Sequence, residues 1–178
     1  AYAELYSLYD AGLLFSEDDY EQIAAMIDPH PPVKALCLHI SHDCNLRCKY
    51  CFADTGNFGG QRMLMPAQTA IDAMEFVRKA SGARKNIEVD FFGGEPLMAF
   101  DTVIQTVEYV RAREKEWGKS FRFTLTTNGL ALDEKKMDFI NREMSNVVLS
   151  LDGRPKVNDA LRCDIAGKGS YARVMPKL

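Results

Sequence analysis

Stretches of apolar residues at helical spacing and short apolar runs succeed one another along this chain, and the change from one to the other predicts its elements. Residues 1 to 28 carry two short stretches of helical character, around Glu4 to Tyr9 and from Ser16 to Ile27. In the second, Ser16 with Asp19 resembles an acidic cap ahead of Ile23, Met26 and Ile27. Asp28-Pro29-His30-Pro31-Pro32 ends any helix, because proline lacks an amide donor and biases the residue before it to extended geometry. Beyond this stiff linker, Lys34 to Ile40 is a short apolar run of the kind a buried parallel strand shows. Pro66 to Ala80 repeats apolar residues at helical spacing through Ala70, Ile71, Met74 and Val77, with Gly82 as its stop. Ile87 to Phe92 is the second strand. Asp101 is placed to cap a helix with Ile104, Val107 and Val110 inward, ending at Gly118. Phe121 to Thr126 is the third strand, Asp133 caps a third helix through Met137, Ile140 and Met144, and Val147 to Leu151 is the fourth strand.

Four strands alternating with three helices predict an α/β fold on a parallel sheet with right-handed crossovers, either open and doubly wound or part of a (β/α) barrel. Both architectures put chemistry in the loops after the strands' C-terminal ends. The 178 residues suffice for one domain with a substantial core, read here as 33–178, behind an N-terminal helical segment and linker at 1–32. A net charge of −3 lacks the basic face that phosphate neutralisation requires, so nucleic acid is not expected as a partner. No apolar run approaches the roughly 18 residues needed to cross a bilayer, and the N-terminal residues do not read as a signal peptide, so the expected location is cytoplasmic.

The candidate chemistry lies directly after the first strand. Ser41-His42-Asp43-Cys44-Asn45-Leu46-Arg47-Cys48-Lys49-Tyr50-Cys51-Phe52 puts three of the five cysteines in one polar loop, where they can converge as thiolates on one iron-sulfur cluster. A scattered disulfide framework does not have this spacing. The alternative is zinc, with His39 or His42 as a fourth ligand, but structural zinc sites pair two short-spaced couples and a second couple is missing. Phe91-Phe92-Gly93-Gly94-Glu95-Pro96 ends the second strand: its glycines let backbone approach a ligand, and Glu95 can accept from an ammonium. Thr126-Thr127-Asn128-Gly129 and Ser150-Leu151-Asp152-Gly153 end the third and fourth, and their Asn-Gly and Asp-Gly pairs also read as ordinary turns. Cys37, inside the first strand, reads as a small buried hydrophobe. Cys163 lies in a polar stretch where exposure is expected.

Cys44-x3-Cys48-x2-Cys51, with aromatic Tyr50 before the last cysteine, resembles the signature of the radical S-adenosylmethionine (SAM) superfamily. The resemblance implies a partial (β/α) barrel, here about its first four βα units. It also implies a 4Fe-4S cluster on Cys44, Cys48 and Cys51 and a SAM site formed by Tyr50, Phe52, Gly93, Gly94, Glu95 and Ser150, with Arg162 as a carboxylate contact. Arg162 reads equally as a solvated helix residue. Together the strand-end motifs resemble the peptide- and protein-modifying branch, which includes anaerobic sulfatase maturases. Val33 to Ile40 with Cys51 to Gly60 is similar to maturases of six-cysteine SCIFF precursor peptides, which implies thioether formation on a precursor peptide and a flavodoxin- or ferredoxin-type electron donor. Such maturases continue into more barrel strands and a cysteine-rich SPASM region, so the resemblance implies the front part of a barrel.

Overall fold

The computed structural model describes residues 2–15, 18 and 20–178. The expected cap of Ser16 with Asp19 lies outside the described residues. The chain divides into two units within the proline-rich segment, Ala1–Pro31 and Pro32–Leu178. The first unit holds helices α1 (Tyr2–Asp10) and α2 (Glu21–Met26), neither of which has a buried residue.

The second unit is built on four parallel strands, β1 (Ala35–Ser41), β2 (Asn86–Gly93), β3 (Ser120–Thr127) and β4 (Met144–Leu149), hydrogen-bonded in the order β1-β2-β3-β4. A doubly wound sheet reverses its strand order at a switch point. This one runs in sequence order, and helices α3 (Ala67–Ala80), α4 (Phe100–Arg111) and α6 (Glu134–Glu143) share one core with one face of it. Sequential parallel strands under a single helical layer form the arc of a (β/α) barrel.

Strand periodicity decides which side chains enter that core. Leu38 and Ile40, then Ile87, Val89 and Phe91, then Phe121, Phe123 and Leu125 are all buried against Ala70, Met74 and Val77 of α3 and Val103, Val107 and Val110 of α4. The intervening positions face the other way: Glu88 and Arg122 are exposed, while Asp90 and Thr124 are half-buried. β1 is therefore not a doubly buried strand. Cys37 falls on its open face, exposed, with its thiol 3.8 Å from Asp90 Oδ2, so the reading of it as a buried hydrophobe is corrected.

Several boundaries also move. Asp101 is not a cap. Glu95 caps a 3-10 turn at Pro96–Ala99, so winding begins earlier, α4 opens at Phe100, and Asp101 sits in the first turn where a carboxylate favours the helix dipole. The expected long helix to Gly118 is broken into α4 and a single turn, α5 (Glu114–Trp117), which Gly118 closes at φ 62°. At the break, Arg111 reaches Glu114, Glu143 and the Phe121 carbonyl, tying the helix end to β3. Asp133 caps α6 by accepting from the Lys136 amide, as its position implied, but Met144 already belongs to β4. Two short helices, α7 (Pro155–Leu161) and α8 (Tyr171–Val174), follow β4. No helix among the described residues is long and apolar enough to cross a membrane.

Candidate functional site

The cysteine loop is stitched to the end of β2. Gly94 and Glu95 donate their amides to the carbonyls of Ser41 (2.7 Å) and Asp43 (2.9 Å). A Cβ on Gly93 would lie 2.4 Å from the Ser41 oxygen, and one on Gly94 2.3 Å from that of Asp43. The paired glycines are thus required first by the cysteine loop itself. Gly56 is held in the same way, since its Cβ would come within 2.6 Å of Cys44 Cβ. The far side of the loop is fastened to the end of α7 and the segment just beyond it: Lys49 N donates to Leu161 O (2.9 Å) and Arg47 N to Cys163 O (2.6 Å). Cys163 is half-buried rather than exposed, its thiol donating to the Arg47 carbonyl at 3.6 Å.

Glu95 is buried to 1% exposure and accepts three hydrogen bonds: from Leu97 N (3.0 Å) and Thr127 Oγ1 (2.6 Å) on Oε1, and from Asn128 N (2.8 Å) on Oε2. Burial pushes its pKa up, and these three hydrogen bonds oppose the shift. The carboxylate joins the ends of β2 and β3, with lone-pair capacity remaining on Oε2. At the opposite wall, Asp152 accepts from Tyr50 Oη (2.6 Å) and Arg162 Nε (2.8 Å), and the Arg162 guanidinium lies 5.4 Å from the Tyr50 ring centroid. Arg162 is accordingly no solvated helix residue; one of its nitrogens also approaches Cys48 Sγ at 3.9 Å. Burial raises the Cys44 thiol to about 11 and raises Cys48 as well, the latter opposed by Arg162. Burial thus favours the protonated thiols over the thiolates, and a thiol must lose its proton to ligate a metal.

The ten residues that the resemblance assigns to the cluster and the SAM site line one cavity at the C-terminal rim of the sheet: Cys44, Cys48 and Cys51, Tyr50 and Phe52, Gly93 to Glu95, Ser150 and Arg162. Ala53, Phe92, Thr126, Thr127 and Asn128 complete the lining. Phe92 reads from the sequence as the end of the second strand, and its position two residues after Asp90 puts it on the open face. Asp152 reads from the sequence only as half of an Asp-Gly turn, and topology alone brings it to Tyr50 and Arg162. His39 and His42 do not line this cavity; their rings lie 4.9 and 5.0 Å from that of Phe58. Among the described residues, no three His, Cys, Asp or Glu side chains gather around one point. A multinuclear cluster spreads its ligands over separate irons, and three free thiols lining one cavity, beside glycines that admit no Cβ, suit it as a donor set.

The profile of the radical SAM superfamily matches residues 38–177. The chain belongs to that superfamily. Similar proteins include the radical SAM cyclopropyl synthase TigE of Paramaledivibacter caminithermalis, 25% identical over 71% of this chain and 28% of its own. The cysteine-type anaerobic sulfatase-maturating enzyme of Clostridium novyi is 28% identical over 78% of this chain and 37% of its own. The solved structure of native anSMEcpe with bound AdoMet and Cp18Cys peptide superimposes with a TM-score of 0.69, at 26% identity, over 82% of this chain and 38% of that one. This radical SAM chain spans less than half the length of the curated relatives it matches.

Proposed function

We propose that this chain forms the SAM-cleaving part of a radical SAM peptide maturase, in which Cys44, Cys48 and Cys51 hold a 4Fe-4S cluster. The observation that carries the reading is the convergence of three thiols, the Gly93 to Glu95 segment, Ser150 and Arg162 on one cavity. When bound, a cluster with one open iron supplies the electron that cleaves SAM to methionine and a 5′-deoxyadenosyl radical. The protein's part is to bind and orient. Backbone at Gly93 and Gly94, with the free lone pair of Glu95, receives the SAM ammonium; Arg162, whose Nε is held by Asp152, turns its remaining nitrogens toward the carboxylate. Ser150, whose amide is fixed on the Thr127 carbonyl at 2.9 Å, offers its hydroxyl to the ribose. Tyr50 and Phe52 flank the adenine, with Phe52 stacked against Phe92 at 6.2 Å between centroids.

The substrate read from the SCIFF-like segments is a cysteine-rich precursor peptide. The radical takes a hydrogen atom from an acceptor carbon and leaves as 5′-deoxyadenosine; a substrate thiol gives its proton to solvent and closes the carbon-sulfur bond, and the electron released would return to an iron-sulfur cluster, while a flavodoxin- or ferredoxin-type donor supplies the electron for SAM cleavage. The similarity to the Clostridium novyi maturating enzyme favours a second reading, oxidation of a sulfatase cysteine by the same radical. Full-length protein incubated anaerobically with each peptide, SAM and a reductant separates them by mass spectrometry. Thioether formation leaves the peptide two hydrogens lighter with its thiol blocked to alkylation; oxidation of the sulfatase cysteine replaces its thiol with a carbonyl. Formation of 5′-deoxyadenosine with neither peptide altered would reject both substrate assignments.

A further inference from the structure

Asn128, in the turn after β3, has a role that neither the turn nor SAM binding accounts for. It is 8% exposed, and its backbone amide is anchored on the buried Glu95 carboxylate. The orientation of its side chain follows from donor chemistry. Oδ1 accepts from the Leu130 amide at 2.9 Å, and a backbone N–H can only donate, so the other arm is the NH2. Of the two hydrogens on that nitrogen, one serves Asn45 Oδ1 at 2.8 Å, leaving the other for Cys44 Sγ at 3.6 Å. Leu46 N approaches the same sulfur at 3.4 Å. Cys48 meets only the more distant Arg162, and no hydrogen bond among the described residues reaches Cys51 Sγ. The donors are therefore concentrated on one of the three sulfurs.

We infer that Asn128 is a positioning residue that donates to the Cys44 thiolate and thereby raises the reduction potential of the cluster, an inference that rests on the cluster assignment above. A hydrogen bond to a ligand sulfur stabilises the more negative, reduced state, so each such donor shifts the potential upward. Anchoring the donor through Glu95 makes this tuning part of the same connection that holds β2 to β3.

The test is an EPR-monitored redox titration of cluster-loaded wild type, Asn128→Ala and Asn128→Asp, with iron and sulfide content measured on each. Asn128→Asp keeps the acceptor for Leu130 N and removes the donor to sulfur. Both variants are expected to titrate at a more negative potential than wild type, the aspartate more so because it adds a negative charge. A merely structural Asn128 would lower cluster content or thermal stability while leaving the potential of the loaded fraction unmoved, and that result overturns the inference. In wild type with 15N in the asparagine side-chain amides, ENDOR of the reduced cluster should show a 15N coupling and an exchangeable proton. Their absence overturns the inference even if neither variant retains a cluster. Failure of wild type to form any cluster would instead reject the parent reading.

Discussion

Phe123 and Asn128 stand five residues apart on one strand and its turn, yet they belong to regions built on opposite principles. The helix-covered face around Phe123 is apolar and close-packed, with the Phe123 ring 5.7 Å from Phe91 and 6.2 Å from Phe121. The rim around Asn128 is polar, held by hydrogen bonds to a buried carboxylate and by glycines that leave no room for a methyl group. Stability resides mainly in the first and chemistry in the second. The two are joined chiefly through Glu95, which is both a strand connector and a wall of the cavity.

Substitutions measured on the cluster-free chain by denaturant unfolding should rank accordingly. Phe123→Ala removes a wholly buried ring and is expected to cost about 3–5 kcal/mol, enough to unfold a marginal domain. Glu95→Gln keeps the shape but sets an NH2 against one of the donors and removes the charge; about 1.5–3 kcal/mol is expected. Gly94→Ala forces the Asp43 carbonyl to move, at about 1–3 kcal/mol for overpacking, and should also lower iron content because that carbonyl precedes Cys44. Arg62→Ala breaks a partly exposed pair with Asp43 and a 2.8 Å bond to Thr55 Oγ1, and should cost no more than about 1 kcal/mol. If Gly94→Ala proved as damaging as Phe123→Ala, the division between a stabilising face and a chemical rim would not hold.

The two regions were also unequally legible in the sequence. Short apolar runs, with stretches of helical spacing between them, locate the four strands and three main helices; strand alternation then decides which side chains the single helical layer covers. The same alternation assigns Cys37 to the open face once β1 is known to have only one covered side; its short apolar run did not reveal that. The shift of the α4 start to Phe100 depends on a cap supplied by Glu95 from outside the helix, which local pattern does not show. At the rim, short spacing brought forward the cysteines and glycines, whereas Asp152 and Asn128 read as turn residues. Their partners, Tyr50 at a separation of 102 residues and Cys44 at 84, are set by topology alone.

The central claim is that this cavity holds a SAM-binding cluster on three thiols. It is tested most directly by EPR of the anaerobically reconstituted, reduced protein with and without SAM, beside Cys48→Ala. The account predicts a 4Fe-4S signal that SAM alters, and loss of the wild-type signal in Cys48→Ala with near-wild-type stability of the cluster-free chain. A signal indifferent to SAM, or one unchanged in Cys48→Ala, would contradict it.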